Sequence, residues 1–486
     1  MTIFRIALAG VMAGLAAVPL TAQQPDIAGT WAGEIAVSGT RLPLVFHITA
    51  TDGTLAATMD SPAQGAAGIP VDTVRFAAGV LIMRLVAING GYTGRLTGEG
   101  HFEGEWQQGG MALPLELRRT EAGAVALPRP QHPEPPFPYQ AMDIQFPNNA
   151  AGLELAGTLT LPPGTGPFPA VVLVSGSGPQ DRDETVFGHR PFLVLADHLT
   201  RHGVAVLRFD DRGVGESGGD FAVGTTLDFA GDAAAAIRYL RSRPEIAGDR
   251  IGVIGHSEGG LIAPLVATGA AGLPATDLAF VVLLAGPGLP GGEILRSQLA
   301  AISSAAGMPA DRVSDALEVQ ARMLRIVEAE DDPTRRRARI VELLGTALDA
   351  MTPADRALQG IPPGQEQQWM EAQATAVSTP WFRQFLQLDP RPVLGRLQVP
   401  TLALFGGLDL QVPAEPNAEA MRTALAAAGN PDYTVRVMPG LNHLFQTART
   451  GLPGEYITIE ETFAPAALTA VSGWILERFG APVLKR

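Results

Sequence analysis

The chain contains no cysteine, and this absence excludes several kinds of chemistry. None of its 486 residues carries a thiol that forms a disulfide, attacks a substrate or binds zinc as a thiolate. Basic side chains are also few: the chain has 35 Lys and Arg and 49 Asp and Glu, which gives a formal net charge of −14. Binding to nucleic acid needs a basic face that contacts phosphates, so we expect no nucleic-acid partner.

Charged residues make up only 17% of the chain, whereas apolar residues make up 46%. This balance excludes an intrinsically disordered chain and predicts a large buried core. A length of 486 residues exceeds one typical domain, so two or three domains are expected.

The first 22 residues are predicted to be a signal peptide cleaved near Ala22. Arg5 precedes an apolar run from Ile6 to Leu20, and small residues follow at the cleavage position. An uncleaved membrane anchor is the alternative, but the run is short for a span of about 20 residues. We therefore expect a secreted or periplasmic protein that is not stably inserted in a membrane after cleavage.

Residues 26–120 show short alternating segments separated by Gly, Asp and Asn. Period-two patterning with closely spaced turn signals predicts a small antiparallel β-barrel or sandwich. Trp31, Phe46 and Trp106 are expected in its core, since large aromatic side chains are usually buried. Such a domain either packs as an accessory module or binds a ligand.

Residues 121–139 hold six prolines between positions 128 and 138, a composition that predicts a semi-rigid extended linker. After the linker, apolar strand-like runs alternate with helix-like segments, which indicates an α/β domain with a mostly parallel, eight-stranded sheet. This domain is predicted over 140–288 and 396–486. The intervening residues 289–395 lack strand-like runs and are predicted to form a helical insertion.

The stretch Gly255-His256-Ser257-Glu258-Gly259 directly follows a predicted strand and opens a predicted helix. A serine on such a sharp strand-to-helix turn projects its hydroxyl over the edge of the sheet, as a nucleophile must. His256, next to the serine, is expected to support the structure.

A nucleophilic serine needs a base, and of the eight histidines only His443 lies after Ser257. It follows the last predicted strand, where the chain order serine, acid, histidine places the base in this type of sheet. Asp409, after the penultimate strand, is the predicted acid that orients the imidazole. Asp432 is the alternative, but it precedes a strand and lies at the wrong edge of the sheet.

Two backbone N–H groups are expected to stabilise an oxyanion. One belongs to Glu258, at the start of the helix after the serine. The other comes from Ser177 or Gly178, in the loop Ser175-Gly176-Ser177-Gly178 after an earlier strand. A phosphate-binding loop is the rival interpretation, but no Walker-type lysine follows.

Five segments in this order, "VSGSGPQDRD", "RFDDRGVGES", "GHSEGG", "GLDLQVP" and "GLNHLFQ", resemble the α/β-hydrolase superfamily. The resemblance is greatest to secreted bacterial serine esterases and acyl-hydrolases with an N-terminal β-rich domain. It implies an α/β-hydrolase fold, a triad of Ser257, Asp409 and His443, and a cap formed by residues 289–395. It also implies that no metal or organic cofactor is needed.

The predicted function is hydrolysis of a small-molecule carboxylic ester through an acyl-enzyme. A serine peptidase with the same triad is the alternative; Glu366 or Glu371 would then anchor a peptide terminus. A non-catalytic secreted binding protein is a further alternative. Trp369, Trp381 and Phe382 either line an acyl pocket or form the core of the cap. The oligomeric state is not predicted.

Overall fold

The computed structural model describes residues 26–480 except 38–39, 52–53, 62–65, 109–110, 122–127, 274, 359–360 and 362–363. The predicted signal peptide, residues 1–22, lies outside the described residues. Within the described range the chain forms one sheet of nine strands and one sheet of eight.

The nine-stranded sheet is antiparallel throughout and precedes the α/β part of the chain. Its strands are β1 (Gly29–Val37), β2 (Thr40–Thr51), β3 (Thr54–Ser61), β4 (Ala66–Val71), β5 (Thr73–Ala77), β6 (Val80–Leu85), β7 (Gly90–Gly98), β8 (His101–Gln108) and β9 (Met111–Thr120). The spatial order is β4-β3-β2-β1-β9-β8-β7-β6-β5. The two ends curl together, since β3 contacts β5 and β4 contacts β6.

The interior of this curled sheet is filled by side chains. Trp31, Phe46, Tyr92, Phe102 and Trp106 are all buried there and pack against one another. Alternating residues point inward, as the period-two pattern predicts. The expected core positions of both tryptophans and the phenylalanine are therefore confirmed.

The eight-stranded sheet has the order β10-β11-β13-β12-β14-β15-β16-β17. Its strands are β10 (Gln140–Asn148), β11 (Leu153–Leu161), β12 (Phe168–Val174), β13 (Ala205–Phe209), β14 (Ile246–His256), β15 (Phe280–Leu284), β16 (Thr401–Gly406) and β17 (Tyr433–Met438). The first two strands are antiparallel to their neighbours, and the other six run parallel. Every residue of β13, β15 and β16 is buried.

Helices cover both faces of this sheet, which explains its continuous apolar strands. In the described part of the chain the twelve α-helices are α1 (Pro191–Arg201), α2 (Thr226–Arg241), α3 (Gly259–Thr268), α4 (Gly291–Ala305), α5 (Ala310–Ala329), α6 (Pro333–Asp349), α7 (Pro353–Leu358), α8 (Glu366–Ala376), α9 (Pro380–Gln387), α10 (Arg391–Leu394), α11 (Ala414–Ala427) and α12 (Pro465–Phe479). Helices α1 and α12 pack on one face, and α2, α3 and α11 pack on the other.

Seven of these helices, α4 to α10, stand between β15 and β16. Four of them, α5, α6, α8 and α9, share an apolar core that includes Val327, Ile340, Leu344 and Met370. The predicted fold class, a mostly parallel eight-stranded sheet with a helical insertion and a preceding antiparallel β domain, is confirmed. Because β14, β16 and β17 are parallel, the loops that follow them meet at one edge of the sheet.

Candidate active site

Ser257 occupies a strained turn between β14 and α3. Its φ is 51°, in the left-handed region that is unfavourable for a residue with a side chain. A Cβ added at Gly255 would collide with the carbonyl oxygen of Gly259, so the turn requires glycine there. The Ser257 N–H donates to the carbonyl of Leu284 at 2.8 Å, which ties the turn to the next strand. The sharp turn predicted from the sequence is thus observed.

His443 lies in a tight loop after β17. The side chain of Asn442 closes this loop, since its Oδ1 accepts the N–H groups of Leu444 and Gln446 at 3.1 and 2.9 Å. The Asn442 amide also donates to Gln446 Oε1 at 2.8 Å. Both side chains are fully buried. No sequence pattern predicted this network, which holds the backbone on both sides of His443.

Asp409 follows β16 and pairs with His443. Its Oδ2 lies 2.7 Å from His443 Nδ1, and both side chains are about 95% buried. The other oxygen of Asp409 accepts the N–H groups of Gln411 and Val412 at 2.8 and 2.9 Å. A carboxylate held in this way fixes the proton of the imidazole on Nδ1 and leaves Nε2 as an acceptor.

Ser257 and His443 line the same cavity, which has a volume of about 420 Å³. One wall comes from the helical insertion and is mostly apolar, with Ile294, Leu295, Trp381 and Phe385 beside the polar Gln298. The opposite wall comes from two loops and includes Phe187 and Tyr456, whose rings pack edge to face. No Lys or Arg lines the cavity among the described residues.

The loop after β12 borders the same cavity. Gly176 and Ser177 line it, whereas Gly178 does not. The Gly176 N–H is already engaged, since it donates to Glu184 Oε1 at 2.7 Å. In the described part of the chain, neither the Ser177 N–H nor the Glu258 N–H has a protein acceptor.

The side chain of Glu258 is buried under the helical insertion. Its Oε1 accepts from Thr226 Oγ1 at 2.6 Å and from Trp381 Nε1 at 2.7 Å. Burial raises the pKa of the Glu258 carboxyl, although hydrogen bonds from Thr226, Trp381 and Ser177 oppose that rise. One residue thus presents its backbone to the cavity and its carboxyl group to the insertion.

Most acidic and basic residues of "QDRD" and "RFDDRG" form ion pairs, either between the two segments or with α2. Arg182 contacts Asp210 at 2.7 Å. Asp183 pairs with Arg208, and Arg212 contacts Asp232 at 2.7 Å. Asp211 differs, because it accepts hydrogen bonds from Ser175 Oγ and the Gln180 N–H, both at 2.9 Å.

The sequence pattern of the alpha/beta hydrolase family matches residues 171–451, which include most of β12, the Ser257 turn, the insertion, Asp409 and His443. The chain belongs to the alpha/beta hydrolase family. The matched range thus contains every predicted site residue. The strands β10 and β11 and the nine-stranded sheet precede the match.

The chain is similar to the esterase EstD of Thermotoga maritima, with 29% identity over 304 residues. The similarity covers 62% of this chain and spans 61% of the length of that relative. Among solved structures it resembles the esterase Pf2001 of Pyrococcus furiosus, with a TM-score of 0.41 and 16% identity over 71% of this chain and 94% of that one. It also resembles Est1E of Butyrivibrio proteoclasticus with bound ferulic acid, with a TM-score of 0.39 and 16% identity over 70% and 100% of the two chains.

Several candidate residues of the hydrolase lie away from the cavity. Asp432 forms a bidentate pair with Arg478 at 2.8 and 2.9 Å, and it does not contact His443. Glu366 and Glu371 are on α8 and do not line the cavity. Of the three aromatic residues proposed for pocket or cap core, only Trp381 lines the cavity, whereas Trp369 and Phe382 pack in the core of the insertion.

The segment before β10 contributes two side chains that the sequence did not single out. The Arg129 guanidinium donates to the carbonyls of Phe187, Ile457 and Ile459 at 2.7 to 3.0 Å. Gln131 bonds to the backbone of Thr462 and Phe463. Two residues of the predicted linker therefore hold the loops that carry Phe187 and Tyr456 in the cavity wall.

Within the described ranges, no group of three or more His, Asp or Glu side chains is arranged to hold a metal ion. Over the same residues, every helix is too short or too polar to cross a membrane.

Proposed function

We propose that this hydrolase cleaves small-molecule carboxylic esters through an acyl-enzyme, with Ser257 as nucleophile, His443 as base and Asp409 as the orienting acid. The contact of 2.7 Å between Asp409 Oδ2 and His443 Nδ1, at the rim of the cavity that Ser257 also lines, is the observation that supports this most strongly. The similarity to an esterase is consistent with it.

In this mechanism His443 Nε2 accepts the Ser257 Oγ proton as the oxygen attacks the ester carbonyl. The N–H groups of Glu258 and of Ser177 or Gly178 donate to the oxyanion that forms. Ser177 lines the cavity and Gly178 does not, which favours the Ser177 N–H as the second donor. His443 then protonates the leaving alcohol, and water repeats the sequence on the acyl-enzyme.

The chemistry of the cavity favours an ester over a peptide. A peptidase that trims chain ends needs a charged group to anchor the terminus. Glu366 and Glu371 lie off the cavity, and the two glutamates that border it, Glu184 and Glu258, are buried in hydrogen bonds with the protein. An apolar wall without Lys or Arg suits an uncharged acyl group.

The test compares Ser257→Ala with the wild type on p-nitrophenyl butyrate and on an aminoacyl p-nitroanilide. We expect fast ester cleavage by the wild type and a loss of kcat on the order of 10⁴-fold or more in the variant. Ser472→Ala is the matched control, because Ser472 is a serine that bonds to a histidine, His198 on α1, and does not line the cavity. Faster anilide cleavage would indicate a peptidase, and an active Ser257→Ala variant would reject the nucleophile.

We also propose that the protein is exported and loses residues 1–22. The support is the sequence alone: one basic residue, an apolar run and small residues at Thr21 and Ala22. Mass spectrometry of the protein recovered from the periplasm or medium measures its first residue, and an intact Met1 would contradict cleavage.

A further inference from the structure

Glu184 lies in the loop between β12 and α1, where it contacts two parts of the site at once. Its Oε1 accepts the Gly176 N–H at 2.7 Å and faces His256 Nδ1 at 2.8 Å. The side chain is 97% buried. Its φ of 53° is left-handed, and such strain persists only where surrounding contacts impose it.

His256 has an acceptor at both ring nitrogens. Its Nε2 lies 3.0 Å from the carbonyl oxygen of His443, and its Nδ1 faces the Glu184 carboxylate. A neutral imidazole has only one N–H, so when the Glu184 carboxylate is ionised, both contacts are hydrogen bonds only if the ring is an imidazolium. Burial acts to lower the pKa of His256, but the Glu184 charge and hydrogen bond outweigh it and raise that pKa.

We propose that Glu184 and His256⁺ form a buried ion pair that positions the oxyanion loop and the loop of the base relative to Ser257. The pair completes a chain of three hydrogen bonds, from the Gly176 N–H through Glu184 and His256 to the carbonyl of His443. Both are positioning residues, since they act through backbone groups. The inference rests on the proposed function of Ser257 and His443.

The two ends of this chain determine the geometry of the reaction. Gly176 precedes Ser177, so fixing its N–H fixes the peptide plane next to the proposed oxyanion donor. At the other end the chain holds the backbone of His443, whereas Asp409 holds its ring. Small displacements of catalytic groups are costly to the rate, because reaction requires aligned atoms at about 3 Å.

The test measures kcat and KM of Glu184→Gln and Glu184→Ala on p-nitrophenyl butyrate. Glu184→Ala removes both acceptor contacts, and we expect kcat to fall on the order of 10-fold to 100-fold, as for other residues that orient catalytic groups, with little change in KM. Glu184→Gln keeps an oxygen for the Gly176 N–H, so we expect it to recover part of the lost kcat. Asp232→Asn is the control, because it breaks another buried ion pair, with Arg212, and should leave kcat unchanged.

A second measurement reports on the imidazolium itself. In protein labelled with ¹⁵N-histidine we expect His256, assigned by its loss in His256→Asn, to show two ring N–H signals in the wild type. In Glu184→Gln we expect His256 to show a single ring N–H signal. This readout distinguishes an ion pair from a merely space-filling contact, and it does not depend on activity.

Four results would overturn the proposal. They are a single ring N–H on His256 in the wild type, wild-type kcat in a folded Glu184→Ala, no recovery in Glu184→Gln, or a change confined to KM. If Glu184→Ala does not fold, the isosteric Glu184→Gln decides through kcat and the ring signals. If Ser257→Ala is inactive while Glu184→Gln is fully active and keeps two ring N–H signals on His256, only the Glu184–His256 ion pair is rejected. If Ser257→Ala is active, the proposed function itself is rejected.

Discussion

The indole N–H of Trp381 donates to the carboxyl group of Glu258 at 2.7 Å. The first residue belongs to α9 of the helical insertion, and the second is adjacent to Ser257. The Trp381 ring also stacks on Phe385, with 5.5 Å between centroids. A hydrogen bond from the apolar wall of the cavity thus ends on the residue whose N–H is proposed to bind the oxyanion.

Trp381→Phe keeps an aromatic ring in the wall and removes the donor. We expect a rise in KM for p-nitrophenyl butyrate, because the ring loses its fixed orientation. The free energy of unfolding should fall by about 1–3 kcal/mol, since a buried carboxyl group loses a partner. Trp369→Phe is the matched control in the core of the insertion, where we expect reduced stability with unchanged KM. Equal KM values in both variants would show that the Trp381 contact only stabilises the insertion.

A second prediction distinguishes Asp409 from Asp432, the two carboxylates considered as the acid that orients His443. Asp409→Asn should lower kcat on the order of 10⁴-fold, because an amide at that position no longer fixes the imidazole tautomer. Asp432→Asn should leave kcat unchanged and reduce stability only through its pair with Arg478. Kinetics of the two purified variants on one ester measure this difference. Comparable losses in both would contradict the assignment of Asp409.

The positions of Ser257, Asp409 and His443 were predictable because each follows a recognisable strand of a parallel sheet. Chain order then leaves one histidine after the serine. Glu184 was not predictable, since it lies among other charged residues in "QDRDE" and its partner His256 is 72 positions away. A contact between loops of this kind leaves no periodic signal in the sequence.

In the insertion, too, contacts between residues distant in sequence could not be predicted. Its helices were predictable from composition, but Trp369 and Trp381 were equivalent until the packing of α9 against α2, α4 and α5 was known. Likewise the prolines between 128 and 138 correctly exclude a helix or strand, yet they do not indicate that Arg129 binds loops about 330 residues further along. In the insertion and in the proline-rich segment, the role of each side chain therefore depends on its tertiary contacts.

The last prediction concerns the change in stability as the pH rises through the acidic and neutral range. Burial raises the pKa of Asp211 to about 8, with smaller contributions from the charges of Glu258 and Glu184 and opposition from its hydrogen bonds to Gln180 and Ser175. An unfolded aspartate titrates near pH 4. Between these values the folded protein holds a proton that the unfolded chain has released, so the free energy of unfolding falls as pH rises through this window.

Asp211→Asn cannot titrate, and we therefore expect a shallower loss of stability than in the wild type between pH 6 and about 8, where the folded carboxyl ionises. Urea denaturation of both proteins at several pH values measures the two slopes. Asp249→Asn, an exposed carboxylate, serves as control and should follow the wild type. Parallel curves for wild type and Asp211→Asn would mean that Asp211 is already ionised near neutral pH, with the hydrogen bonds that its two oxygens accept from Ser175 Oγ and the Gln180 N–H outweighing the effect of burial.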